Sequence, residues 1–562
     1  MNSATDDRIY LRLAWAGLIA ALLIIAATFQ DYGVTWDEFY HRANGKHVLA
    51  YYASFFADRT VLTFHNLYLY GGAFDGVVAL LNTISPFGWF ETSHLANALV
   101  GLLGVVGCWK LTDSLGGRRA ALIAAALLLL TPVWYGHMYF NPKDIPFATA
   151  MTWTLYYATR MAAAWPATPW QHAVKLGAVL GLTLGIRIGG VIALVYMAAP
   201  FAAYVLAEAW PRMGAIAAAR HLARILYRSF VPAGLIAYAV MLVCWPWAQQ
   251  DPIGNPIKAL QLFSHIAWNI DVLFEGRLVN SMNLPADYLP VYFAVKLPET
   301  ILALLALALP IGIGVAARRL RAPVDARVRG FAMLTAAALL PFVYFLVQRP
   351  VTYDSIRHFL FVVPPLAAIA ALTADWIFTR AARGGRPVVA GLGTLLGVGL
   401  GAQLYALVSL HPDQYVYYNA LTGGVKGAEN RFELDYWGNS YAEAVDLLVE
   451  QLERERESGA PAVSYKVAVC SSGVSASYFF PPYLEWTGNE LEADFYISTT
   501  RLDCDESLEG DPFITVGRDG AVLSVVKDRR ALKVFHPERL KATGPAEERV
   551  HPGAISDASM VR

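Results

Sequence analysis

What most constrains this chain is a series of apolar runs, each long enough to cross a bilayer. A helical crossing needs roughly 20 mostly apolar residues. Runs of that kind lie near 11–29, 94–110, 119–136, 144–163, 173–187, 189–207, 229–247, 298–316, 329–347, 358–377 and 387–409. About eleven such runs are compatible with a polytopic bundle of helices in lipid, where every backbone polar group is satisfied within its own helix. Composition agrees: 56% of residues are hydrophobic and 16% charged, against about 25% charged in average soluble domains. The mean hydropathy is +0.41. A formal net charge of zero gives no footing for nucleic-acid binding.

The first run has the length of a signal peptide but lacks a small-residue cleavage site, so it reads as a retained first helix. Lys and Arg collect in short loops on one side of the spans, as with Arg8 and Arg12, Arg118 and Arg119, and Arg380, Arg383 and Arg386. The positive-inside preference then makes the N-terminus cytoplasmic. With eleven spans the C-terminal region is outside.

Two outer loops are long. The first, about 30–93, carries "EFYHRANGKHVLAYYASFF", which reads as a helix lying in the interface plane or as a short packed helix. The second runs about 248–297 and is helix-like after Pro256, then cut into short pieces by Pro285, Pro290 and Pro298. Beyond residue 410 hydrophobicity falls. "SYAEAVDLLVEQLERERES" has the apolar spacing of an amphipathic helix, and "SYKVAVCSS", "ADFYISTT" and "FITVGRDGAVLSVVKD" read as strands, the last as a hairpin about Asp519-Gly520. The expected organisation is a mainly α transmembrane domain over 1–410, a periplasmic α/β domain over 411–545 and a flexible tail over 546–562. Cys108 and Cys244 fall in spans. Cys470 and Cys504 fall outside, where disulfides form, although spacing alone does not show that they meet.

The chemistry-bearing residues sit at span ends. "TWDEFYH" places Asp37 and Glu38 directly after the first span. Consecutive helical residues face different ways, so one of the two should point into a site, and Asp37 is the choice. The bland alternative is a solvated helix start, since acids suit a first turn. Several cations break the charge rule on the outer side: Lys143 in "FNPKDIPF", Arg187 in "LGIRIGG", Lys296 in "FAVKLPE", and Arg357 with His358 in "DSIRHFLF". In the eleven-span topology each lies near a helix start, the end that repels cations. An anion would resolve both violations, because helix starts and basic side chains together bind phosphate. Asp144 is the ion-pair partner that a merely snorkelling Lys143 would use. A lipid phosphate beside a carboxylate base suggests glycosyl transfer, with the phosphate as leaving group and cations neutralising its charge. His65 and Asp75 of the first outer loop could line the cavity.

These motifs resemble the GT-C superfamily of integral-membrane glycosyltransferases. Within it the chain is most similar to the protein O-mannosyltransferase and lipid A aminoarabinose transferase group. The likeness rests on the "DE" pair, "NPKD", "LPADYLPVYFAVKLPE" and "RHFLFVVPPLA", and covers roughly residues 1–410. It implies an inverting transferase that moves a monosaccharide from a polyprenyl-phosphate donor to a lipid, glycan or protein acceptor. It implies Asp37 as base, and supports Lys143, Arg187 and Arg357 as holders of the lipid phosphate. No cofactor is expected; a divalent metal at the acid pair with His65 is the less favoured variant. The stretch 411–444, "HPDQYVYYNALTGGVKGAENRFELDYWGNSYAEA", resembles a segment of bacterial members of the group. Its aromatics could bind sugar at the rim or pack the soluble domain. The C-terminal domain differs from the lectin-like insert of eukaryotic protein mannosyltransferases, which puts a protein acceptor in doubt.

Two other function classes compete. A transporter or flippase of a lipid-linked anion would use the same cations, but should carry charges at mid-membrane and internal repeats. A scaffold or receptor built around the outer domain gives no reason for cations at helix starts.

Overall fold

The structure, a computed structural model, describes residues 3–265, 269–319 and 324–535. The expected tail over 546–562 lies outside the described residues. The chain divides into two compact units. The first holds residues 1–29, 41–269 and 281–407; the second gathers 30–40, 270–280 and 408 onward.

Every apolar run of the sequence is helical. Among the described residues, seven helices are long and apolar enough to cross a membrane: Asp7–Thr28, Trp89–Gly116, Ala215–Cys244, Glu299–Arg318, Ala326–Gln348, Arg357–Gly384 and Arg386–Ser409. The bent pair Arg118–Leu129 and Pro132–Phe140, which meet at 64°, is a broken span or a re-entrant loop, and makes an eighth crossing in the first case. The bend falls where Pro132 has no N–H to continue the ladder. The other three expected spans are the helices Asp144–Ala163, Trp170–Leu184 and Ile192–Tyr204. The first has 20 residues but carries Asp144, Thr149, Thr152, Thr154 and Thr159. The other two are 15 and 13 residues long because the chain unwinds around Arg187.

Burial within this unit is uneven in a way that only lipid explains. The apolar windows of Trp89–Gly116 and Arg357–Gly384 are 67% buried, whereas those of Glu299–Arg318 and Arg386–Ser409 are 6% buried. Faces such as Leu395, Val398 and Leu404 would each cost on the order of 1.5–3 kcal/mol in water. The chain is a multi-span membrane protein. Helices Trp170–Leu184 and Ala215–Cys244 approach through a small-xxx-small pair, Gly177 and Gly181. A Cβ at either would stand 2.6 Å from a backbone oxygen of the neighbouring helix.

The second unit is α/β. Five strands, β3 (Tyr465–Val469), β4 (Leu484–Trp486), β5 (Phe495–Thr499), β6 (Asp511–Arg518) and β7 (Ala521–Asp528), form a sheet in the order β4-β3-β5-β7-β6. β3 pairs in parallel with β4 and β5, and β7 is antiparallel to β5 and β6. The β6–β7 turn is Asp519-Gly520, both with positive φ, as a tight hairpin requires. The helix Tyr441–Glu457 buries Tyr441, Ala444, Val445, Leu448 and Leu452 against Val467, Phe495, Ile497, Val516 and Val526 of the sheet. Cys470 and Cys504 are joined by a disulfide, with Cα atoms 6.2 Å apart.

Two pieces of this unit come from far upstream. β1 (Asp271–Phe274) and β2 (Arg277–Asn280) form an antiparallel hairpin within the second long loop. It is held by a bridge from Phe274 to Phe432 and by Gly276 N donating to Arg431 O at 3.0 Å. The other piece is residues 30–40, the turn that carries the acid pair.

Candidate active site

The acid-bearing turn is built by local helix chemistry. Thr35 precedes the helix Trp36–Ala53, and Glu38 stands three residues on. Glu38 Oε2 accepts from Thr35 N at 2.9 Å and from Thr35 Oγ1 at 3.1 Å. This T-x-x-E pairing is the reach-back half of a capping box. Glu38 is 2% exposed, so its carboxylate serves the helix start. Asp37 sits beside it in the first turn, half-buried. Its charge reaches Tyr40, whose hydroxyl is pushed up first by burial and then by Asp37. The two acids thus have different surroundings, as adjacent helical positions require.

The cations of the first unit form one cluster. Asn141 caps the helix Asp144–Ala163, its Oδ1 accepting from Asp144 N at 2.9 Å while its Nδ2 donates to Asp144 Oδ2 at 3.1 Å. The helix begins at Asp144, two residues after Pro142. Arg187 lies in the extended break between two helices, at φ −150° and ψ 124°. From there its Nη1 reaches Asp144 Oδ1 at 3.0 Å. Asp144 therefore pairs with Arg187. Lys143 instead lies over the Tyr70 ring, 4.8 Å from its centroid, and Arg187 shares that ring at 5.8 Å. The snorkelling alternative for Lys143, which needs Asp144 as its partner, does not describe this arrangement.

Arg357 opens the 3-10 turn Arg357–Val362. It pairs with Asp354 at 3.1 Å, both side chains almost wholly buried, and lies over Tyr353 at 4.7 Å. His358 meets the same Tyr353 edge-on. Asp354 and Ser355 both have left-handed backbone, φ 56° and 65°. Such positions cost of order 1–3 kcal/mol each for non-glycine residues and concentrate at functional sites. The charges of Arg187, His358, Lys143 and Arg357 all act on Asp144, and those of Asp144, Arg357 and Lys296 act on His137.

Lys296 departs from the expectation of a cation at a helix start. It closes the short helix Tyr288–Lys296, the end that favours a cation. What sets it apart is complete burial. His65 is exposed, with φ 46°, its ring edge-on to Phe64. Asp75 is buried and committed: both its oxygens lie 3.0 Å from His41 Nδ1, and Asn44 Nδ2 donates to it at 2.7 Å. Among the described residues, no group of three or more His, Cys, Asp or Glu side chains is placed to hold a metal ion.

Reasoning from sequence missed His137, Asn141, Asp354 and Tyr70. Asp354 was findable, standing one helical turn before Arg357. His137 was not, because it lies in an apolar aromatic run, one helical turn before Asn141, whose Nδ2 is 3.2 Å from its Nδ1. Among the side chains named in the cluster, Lys143, Arg187, Lys296 and Arg357 are cations and Asp144 and Asp354 carboxylates. The cluster is thus rich in positive charge and suited to an anion.

Comparison with known proteins agrees with the resemblance carried by the motifs. Residues 79–247 match the family model described as dolichyl-phosphate-mannose-protein mannosyltransferase. That stretch holds "NPKD" and Arg187. No curated protein sequence matches. Among solved structures, ArnT from Cupriavidus metallidurans bound to undecaprenyl phosphate is similar at 15% identity and a TM-score of 0.48, over 91% of this chain and 97% of that one. The oligosaccharyltransferase of Archaeoglobus fulgidus in the apo form gives 15% identity and a TM-score of 0.49, over 85% of this chain and 64% of that one. The arabinosyltransferase EmbB from Mycobacterium smegmatis gives 18% identity and a TM-score of 0.33, over 73% of this chain and 43% of that one. Residues 79–247 thus carry the signature of a glycosyltransferase family within a polytopic helical architecture.

Proposed function

We propose that the protein is an inverting glycosyltransferase that uses a polyprenyl-phosphate monosaccharide as donor at the periplasmic face of a bacterial inner membrane. The observation that carries the reading is Lys143. Its ammonium lies over Tyr70 while Asp144, its nearest candidate partner in sequence, is taken by Arg187. An ammonium held by an aromatic ring beside the Arg187 guanidinium is a fitting holder for a lipid phosphate.

In the reaction, a hydroxyl oxygen of the acceptor attacks the anomeric carbon from the face opposite the phosphate. Asp37 takes the hydroxyl proton. The bond from the anomeric carbon to the phosphate oxygen breaks, its electron pair leaving with the polyprenyl phosphate. Lys143, Arg187 and Arg357 stabilise the charge that grows there, with Lys296, His137 and His358 tuning their field. Glu38 holds the helix start on which Asp37 stands. The acceptor is a hydroxyl of a lipid, glycan or protein. The reading requires no metal, so transfer should persist in the presence of a chelator.

The test is mass spectrometry of lipid co-purified with Asp37→Asn protein, together with a transfer assay. A polyprenyl phosphate bearing a sugar, retained but not consumed, supports donor and base together. Full transfer activity in Asp37→Asn removes Asp37 as base. Recovery of ordinary phospholipids alone, even after incubation with polyprenyl-phosphate sugars, turns the reading toward transport.

A further inference from the structure

The stretch 411–444 is the longest motif that the proposed reaction leaves without a task. Within the second unit it grips the turn that carries Asp37, residue by residue. Asp31 Oδ2 lies 2.8 Å from His411 Nε2. Tyr32 Oη donates to Gln414 Oε1 at 3.1 Å in a buried bond. Gly33 N donates to Asn439 Oδ1 at 2.9 Å, also buried. Trp36, the residue before Asp37, lies under the Arg501 guanidinium at 5.2 Å. A Cβ on Gly33 would stand 2.2 Å from Asn439 O, so the two backbones touch and no larger residue fits.

The gripping groups are themselves fixed. Asn439 Nδ2 donates to the Asp413 carboxylate and to Pro412 O at 3.3 Å. A carbonyl only accepts, so the amide is oriented with its oxygen toward Gly33. The backbone N of Asn439 donates to Asp435 Oδ1 at 3.0 Å, and Asp435 is also bonded by Tyr415 and Ser440. Arg501 Nη1 donates to Tyr436 O at 2.8 Å, and its Nε lies 3.3 Å from the buried Glu433. These bonds and ion pairs fix the orientation of the Asn439 amide and the Arg501 guanidinium. A mobile recognition loop needs no such network.

We infer that the C-terminal unit is a working part of the catalytic machinery: Asn439 and Arg501 are positioning residues that set where Asp37 stands, and 411–444 is the frame that holds them. The inference rests on the reading of Asp37 as the base. It gives the C-terminal region a task independent of which sugar or acceptor is used. A catalytic group displaced by about 1 Å loses on the order of 100-fold in rate, whereas the cations of the first unit, and with them donor binding, stay intact.

The experiment uses the full-length chain with Asn439→Ala, Arg501→Ala, Asp37→Asn and, as a control on the exposed face, Lys466→Ala. Polyprenyl phosphate is the binding probe, and the polyprenyl-phosphate sugar recovered from Asp37→Asn is the turnover substrate. Asn439→Ala and Arg501→Ala should lower kcat about 100-fold at unchanged donor KM and unchanged polyprenyl-phosphate affinity. Hydrogen exchange over 30–38 should quicken in both, and Lys466→Ala should match the parent. If either alanine variant fails to fold, Tyr32→Phe, which removes one hydroxyl, should lower kcat several-fold at unchanged donor KM. Parental kcat in folded Asn439→Ala and Arg501→Ala, or a loss of donor affinity equal to the loss of turnover, overturns the inference. An active Asp37→Asn protein would instead overturn the reading beneath it. An inactive Asp37→Asn with both positioning variants normal would sink this inference alone.

Discussion

Arg187→Met separates holding a phosphate from holding a neighbour. Asp144 is 1% exposed, and its partners are Arg187 at 3.0 Å and Asn141 at 3.1 Å. Removing the guanidinium leaves a buried carboxylate with a single side-chain donor. Breaking a buried pair in this way costs about 3–5 kcal/mol. Asn141 and the nearby charges of Lys143, Arg357 and His358 remain, so the lower end, about 3 kcal/mol, is expected. Arg187→Met combined with Asp144→Asn removes the stranded charge and should recover most of that loss. The assay is thermal unfolding of purified protein, run beside polyprenyl-phosphate binding on the same samples. If Arg187 holds phosphate, the double variant regains stability but not affinity. A loss below about 1 kcal/mol in Arg187→Met, the range of exposed pairs, refutes the buried-pair account. Affinity that returns together with stability makes Arg187 a structural partner of Asp144 and removes it from the phosphate site.

Gly33→Ala should lower turnover about 100-fold and leave donor affinity intact, because its Cβ would meet Asn439 O at 2.2 Å and force the turn away; parental kcat would refute the close contact. Cys470→Ser should destabilise the C-terminal unit by about 3–4 kcal/mol, since the bridge to Cys504 closes 34 residues of chain; an unchanged midpoint under reducing and oxidising conditions would show that the bond does not form. Asp413 is pushed up to about 7 by burial and then by Asp435, with Arg518 pulling against both. The folded unit thus holds a proton that the unfolded chain releases, so this contribution is present at acid pH and is lost as pH rises through about 7. Asp413→Asn should flatten that slope in unfolding midpoints taken from pH 5 to pH 8, about the range of the shift; an equally steep slope would assign it elsewhere.

The helices were legible because lipid and amphipathic packing write themselves as runs and periods. All eleven apolar runs are helical, and the 441–457 helix and the Asp519-Gly520 hairpin stand where pattern and turn residues put them. What was not legible is long-range. β4 is three residues long, too short to show alternation. The hairpin at 271–280 hid in a segment read as helix and proline-cut pieces, because its bridge partner Phe432 is far away in sequence. Glu38 as a cap was present in T-x-x-E all along, but a pair of adjacent acids reads first as chemistry. Lys296 drew notice for a dipole argument that its real helix reverses. The grip of Asn439 on Gly33 could not be read at all, since nothing local to either residue announces the other.

The composition of the second unit also governs when its parts can meet during synthesis. Its first piece ends at residue 40 and its main piece starts at residue 408. At about 5–20 residues per second, a ribosome needs on the order of half a minute to span that interval. Throughout it the acid-bearing turn is made but has no Asn439, Gln414 or Arg501 to dock on. A nascent chain, or one cut short before residue 439, therefore carries the 30–40 turn without its buried bond to Asn439 and its contact with Arg501. On the proposal made above, a base held this way is aimed only once Asn439 and Arg501 have emerged and folded back on residues 30–40.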